Sequence, residues 1–169
     1  MATTETPQDY TKRILSFVAE NDPHEVLKST AVRLQALMTG RSPGDLARQP
    51  DSAHWSVTQI VAHLADAEVV AAWRIRAILA ADGVPLQPFD QNDWASTFRY
   101  ADTDPFESLK LFEVNRSANL KLLARVDPAL HANFGMHAER GKETIAHLIN
   151  LYAGHDLNHL AQVQRLLGP

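Results

Sequence analysis

Apolar residues recur at helical spacing over four long stretches of the chain. In the first, Val26, Leu27, Thr30, Leu34, Leu37 and Met38 fall on one stripe. Asp22, Pro23 and Glu25 precede it as a capping signature, and Gly40 stops it. The second opens at "SVTQ", where Ser56 and Gln59 form a capping box, and runs through an Ala-rich segment to Gly83 and Pro85. The third follows "DPFE", in which Asp104, Pro105 and Glu107 repeat the cap, and Phe106, Leu109, Phe112, Arg116, Leu120 and Leu123 trace its face. These patterns predict core helices over about 23–39, 56–82, 105–126 and 143–167, with a short helix over 8–20. The segment 83–103 lacks periodicity and reads as a long ordered loop, of a length that is often functional. The connector from Asp127 is also irregular, and no strand-like alternation or internal repeat stands out. The expected fold is all-α: a four-helix bundle with an extra N-terminal helix, in a single domain over 1–169.

Composition narrows the function classes. A formal charge of −4 offers no basic footprint, so nucleic acid is not an expected partner. No apolar run is long enough for a membrane span, and "MATTETPQDYTKR" has no apolar core of a secretion signal. With 0 Cys the expected setting is the cytoplasm. Any metal must then be held by His, Asp or Glu.

Candidate chemistry sits in "AGHDLNHLAQ". His155 and His159 lie about 40° apart on a helical wheel, with Leu148, Leu151, Tyr152 and Leu166 on the same stripe. Two imidazoles on an apolar face are costly unless their nitrogens are satisfied. The pair alone is a weak motif, because 8 His in 169 residues produce such spacings by chance. His63, in "QIVAHLADAE", falls on an inward stripe with Ser56, Ile60, Ala67 and Val70. If the second and last helices are neighbours, three neutral imidazoles can share one divalent ion, with an open position left for chemistry. Zn, Ni and Fe(II) all suit such nitrogens. The bland alternative is three core histidines bonded to carbonyls. His24, His54, His131, His137 and His147 lie off these stripes or in connectors.

Asp66, one turn after His63, and Asp156 or Asn158 are candidates to receive the histidines' other N–H groups; surface acids are the alternative. Tyr152 and Gln162 share the His155 stripe as pocket lining or core filler. Arg74 shares the His63 stripe, and either clamps an anionic substrate or pairs with an acid from another helix. Trp55, Trp73 and Trp94 are packing residues or pocket walls, the 83–103 loop is a candidate cover for the site, and Gly154 leaves room for a close neighbour.

"WSVTQIVAHLADAE", followed by "GHDLNHLAQVQRL", resembles the DinB-like (DinB/YfiT-like) superfamily of metal-dependent enzymes. The likeness runs from about Asp22 to Leu166 and includes "WRIRAIL" and Arg116. It implies a four-helix bundle with one divalent metal ion per chain on His63, His155 and His159. It also implies a homodimer and a small-molecule substrate. The activities it implies are hydrolysis or thiol-dependent S-transfer, the latter with a low-molecular-weight thiol. Mycothiol-dependent isomerases of the family carry Glu where this chain has His155, so the chain departs from that subgroup. The alternatives are a metal-binding stress or damage-response protein without turnover, and a plain bundle with internal histidines.

Overall fold

The computed structural model describes residues 5–168. Residues 1–4, where the reading of the N-terminus as leaderless begins, and residue 169 lie outside the described part of the expected 1–169 domain. Four long helices form the bundle: α2 (Pro23–Met38), α4 (Val57–Ala80), α6 (Pro105–Arg125) and α7 (Ile145–Leu167), with α1 (Pro7–Val18) laid on α7. Their starts follow the sequence signals. Ser56 and Gln59 close a reciprocal capping box on α4, and Asp104 accepts the Phe106 and Glu107 N–H groups ahead of Pro105. Thr144 caps α7 through the His147 N–H. No described helix is long and apolar enough to cross a membrane.

The apolar core divides into two clusters. One holds Leu34, Met38, Ile60, Leu64, Phe112 and Leu160 among others, and the second holds Leu27, Ile75, Ile78, Leu123, Leu148 and Ile149 among others. The order in which each helix visits them gives its direction. Helices α4 and α6 run from the first cluster to the second, and α2 and α7 run the opposite way. Helix α4 contacts α6 and α7, and α2 contacts the same two, so α4 and α6 are parallel neighbours. A parallel neighbour forces the chain to return the whole length of α4, about 36 Å at 1.5 Å per residue. That return is the reason for the long connector between them.

The connector is more structured than its lack of periodicity predicts. It contains β1 (Val84–Leu86), α5 (Gln91–Thr97) and a 3-10 turn at Tyr100–Asp102. The irregular segment before α7 likewise folds into a 3-10 turn (Pro128–Ala132), β2 (Phe134–His137) and β3 (Gly141–Thr144). Strand β2 pairs parallel with β1 (Leu86 opposite His137) and antiparallel with β3 (Phe134 opposite Thr144). The expectation of no strands is therefore corrected: each strand is three or four residues long, too short to show alternation. The "RSPGDLARQPDSAH" loop also hides a capped turn of helix, α3 (Pro43–Ala47). Helix α1 reaches α7 at Gly154, where a Cβ would overlap the Ile14 carbonyl, so the close approach needs glycine.

On all four long helices a polar position separates the two clusters: Thr30, then His63 and Glu68, then Arg116 and Asn119, then His155, Asp156 and His159, all buried. Arg116 organises this layer. Its Nε donates to Glu68 Oε2 on α4 at 2.9 Å, and Nη2 lies 2.8 Å from the same oxygen. Nη1 donates to Asp156 Oδ2 on α7 at 2.6 Å and to the Leu27 carbonyl on α2 at 3.1 Å, while Nη2 reaches Asp156 Oδ1 at 3.2 Å. Asn119 donates to the free Glu68 oxygen at 2.8 Å. The two carboxylates hold the guanidinium charged, pushing its pKa above the usual value against the pull of burial. Arg116→Met leaves two buried carboxylates without a counter-charge, and is expected to remove about 3–5 kcal/mol of stability in urea unfolding. A loss under about 1 kcal/mol, the scale of a surface ion pair, would contradict this role.

Candidate metal centre

Helices α4 and α7 touch and run antiparallel, which brings His63 opposite His155 and His159. The His63 and His155 Nε2 atoms are 3.0 Å apart, and those of His155 and His159 are 3.1 Å apart. All three ligand atoms lie within 4.8 Å of one another. The rings meet edge to face, and Trp55 lies over His63 with ring centroids 5.1 Å apart.

Protons cannot satisfy this arrangement from within. A neutral imidazole has one N–H and one lone pair. The His159 Nδ1 lies 2.8 Å from the Gln162 side-chain oxygen, so it carries the proton and leaves Nε2 as a lone pair. The His155 Nε2 then faces two nitrogens and has one hydrogen or one lone pair for both. Charging the rings is no remedy. Burial first, then the neighbouring imidazoles, hold His63 and His155 well below the usual histidine pKa. Burial also brings His159 down to about 4, against the opposing pull of Gln162 and Asp156. The three therefore present lone pairs at neutral pH. Nitrogens about 2.1 Å from a common ion stand about 3.0–3.4 Å apart, between octahedral and tetrahedral geometry. The two close spacings fit that range. The Nδ1 atoms of His63 and His155 are buried and find no partner among the described residues.

The surroundings differ in part from the sequence reading. Asp66 accepts the Tyr100 hydroxyl at 2.6 Å, and Asp156 is committed to Arg116, so neither takes the expected histidine N–H. A partner in a distant segment, invisible to one-helix spacing, captures each acid: Tyr100 in the connector and Arg116 on α6. Gln162 is the group that orients a ring, as its stripe position allowed. Tyr152 is half-buried beside the site, with burial pushing its phenol up to about 12, so it stays a neutral donor. Arg74 is buried, and no carboxylate lies within ion-pair distance of it among the described residues, which corrects the acid-pairing alternative. Its Nη2 donates to the Gln87 carbonyl at 2.7 Å and lies 3.3 Å from His137 Nε2. Trp73 is exposed, and Trp94 packs between Phe89 and Phe98. His24 and His54 are exposed, while His131 and His147 are half-buried away from the cluster.

Two cavities meet at the histidines. One, about 620 Å³, is bordered by His159, Asn158, Gln162, Trp55 and Arg165. The other, about 570 Å³, is bordered by His63, His155, Arg74, Arg140 and Tyr152. Tyr10, Gln91 and Asn92 border both. The returning connector thus helps to wall the site, as the 83–103 reading anticipated. Tyr10 went unread as a site residue, although it shares a stripe with the buried Ile14 and Val18 of α1.

The family model of the DinB superfamily matches residues 27–163. The protein named "Putative metal-dependent hydrolase OB0782", from Oceanobacillus iheyensis, is 31% identical over 116 residues, covering 68% of this chain and 66% of that protein. "Putative metal-dependent hydrolase GK0616", from Geobacillus kaustophilus, is 32% identical over 113 residues, covering 66% of this chain and 64% of that protein. The chain spans just under two thirds of the length of these two relatives. Among solved structures, YfiT from Bacillus subtilis is described as a probable metal-dependent hydrolase with an unusual four-helix bundle topology. It matches with a TM-score of 0.75 at 20% identity, over 98% of this chain and 90% of that one, a likeness of fold.

Proposed function

The chain belongs to the DinB superfamily, and on that footing we propose that it is a metal-dependent hydrolase of small molecules. One divalent ion, Zn, Ni or Fe(II), is held by the Nε2 atoms of His63, His155 and His159. The observation that carries this reading is the convergence of three buried lone pairs that no arrangement of their own protons satisfies. Such an ion supplies Lewis acidity toward a substrate oxygen and makes water a stronger acid. The protein's own groups do the rest. Gln162 holds the His159 tautomer, and Trp55 restrains the His63 ring by packing on it. Tyr152 and Asn158 offer neutral hydrogen-bonding groups from opposite sides of the site.

The paired cavities support a second reading, thiol-dependent S-transfer, because a transferase must seat two reactants at one centre and a hydrolase only one organic substrate. Chelator-stripped protein reloaded with each metal is the test, assayed on nitrophenyl esters and anilides, and on an electrophile with a thiol. We expect one ion per chain and ester or amide turnover that falls at least ~100-fold in His159→Ala. Turnover only with the thiol selects the transferase. Metal uptake without any turnover selects a binding protein, and no uptake of any of the three ions removes the metal reading.

We further propose a homodimer through the outer faces of α4 and α6. Val69 and Trp73 on the former, and Leu111 and Val114 on the latter, stand exposed among the described residues. Sedimentation at micromolar concentration should give a dimer that Trp73→Glu converts to monomer. A monomeric wild-type chain would contradict it.

A further inference from the structure

Arg74 is a cation whose close acceptors, the Gln87 carbonyl and the Tyr152 hydroxyl, are both neutral. It is 4% exposed and borders the cavity on the His63 side. Of its five N–H groups, one donates to the Gln87 carbonyl. The neighbouring His137 offers no further acceptor. Its Nδ1 takes the Glu139 and Arg140 backbone N–H groups at 3.2 and 3.3 Å, so in the neutral ring the proton sits on Nε2, the atom that faces Arg74. Burial and the adjacent Arg140 and Arg74 charges bring that ring down to about 4, which keeps it neutral. A buried guanidinium left in this state is costly unless an anion completes it.

The other charged groups around the cavity do not supply that anion. Glu5 is paired with Arg13 through both oxygens at 2.8 Å, and Asp90 caps α5 through the Asn92 and Asp93 N–H groups. Glu139 is exposed, and the Arg140 Nε is paired with Glu143 at 2.6 Å. The Nη2 of Arg140 is buried with no partner among the described residues, which adds a second unmatched donor on the same wall. The hydroxyl groups of Tyr10 and Tyr152 border the same space.

We propose that Arg74 is a specificity-determining residue that receives the carboxylate of the substrate. Its Cα lies about 16 Å beyond that of His63 along α4, on nearly the same face. The guanidinium and the histidines therefore face one cavity from separate positions along it, which sets the carboxylate apart from the reacting bond. The substrate class is an acyl compound with a free carboxylate at the end of the chain remote from the reacting bond. A phosphate dianion suits the cavity less well, because Glu139 and Asp90 stand at the same wall. This inference rests on the metal-site reading for the position of the reacting bond, while the anion site stands on Arg74 itself.

Calorimetric titration of zinc-loaded protein with suberic acid monohydroxamate, and with its primary-amide analogue, isolates the carboxylate because the two share a metal-seeking head. Heptanoate and heptanamide on metal-free protein read the same contrast without the ion. The acid should bind at least about tenfold more tightly than the amide in each pair, the scale of one charge-assisted hydrogen-bonded pair. In Arg74→Gln the ratio should fall to about one with amide affinity unchanged, and Arg74→Lys should retain part of it. A ratio near one in the wild-type protein, no measurable binding of either member, or a ratio that survives in folded Arg74→Gln overturns the proposal. The wild-type ratio decides alone if the variants do not fold. Carboxylate preference without zinc uptake would overturn the metal reading and leave the anion site standing.

Discussion

A single guanidinium holds the bundle in register. Arg116, on α6, engages all three of its nitrogens within the protein, on Glu68 of α4, Asp156 of α7 and the Leu27 carbonyl of α2. Every long helix is therefore tied to one planar group, whose fork leaves each helix little freedom to rotate. A buried ionic layer of this kind is weak evidence for stability, because desolvation offsets most of its attraction. Its effect here is on geometry. The two carboxylates it holds belong to the two helices that carry the histidines, and Asp156 is the next residue after His155. Fixing the rotation of α4 and α7 fixes where three imidazoles meet.

The polar layer also explains why the site lies in the middle of the bundle. Apolar clusters seal it above and below, so the histidines lose water and stay neutral. Neutral, buried and joined through His155 by two nitrogen contacts of 3.0 and 3.1 Å, they cannot all be satisfied by their own protons. Access comes from the side, where α1 and the return connector leave two cavities with Tyr10, Gln91 and Asn92 between them. The connector is long because α4 and α6 are parallel neighbours, and its path brings those residues to the site's mouth.

Much of this is written in local sequence patterns. Capping boxes and 3.6-residue stripes locate the long helices, since both signals act within one turn or two. The same periodicity puts His155, His159 and Gln162 on one face and His63 on another. What stayed illegible depends on contacts between distant segments. Asp66 finds Tyr100 and Asp156 finds Arg116, pairings that no one-helix spacing contains. The small sheet exists because β1 and β2, distant in the chain, meet edge to edge with Val84 opposite Gly135. Arg74 has two readings from the sequence, and the lack of a facing acid among the described residues favours the anion clamp.

The central claim is that three imidazoles bind one metal and leave it open. X-ray absorption at the zinc edge of zinc-loaded protein measures this directly. The account predicts three imidazole nitrogens near 2.0–2.1 Å with at least one further light ligand, and imidazole scattering reduced by a third in His159→Ala. A zinc ion surrounded by oxygen alone, or an unchanged spectrum in that variant, would contradict it.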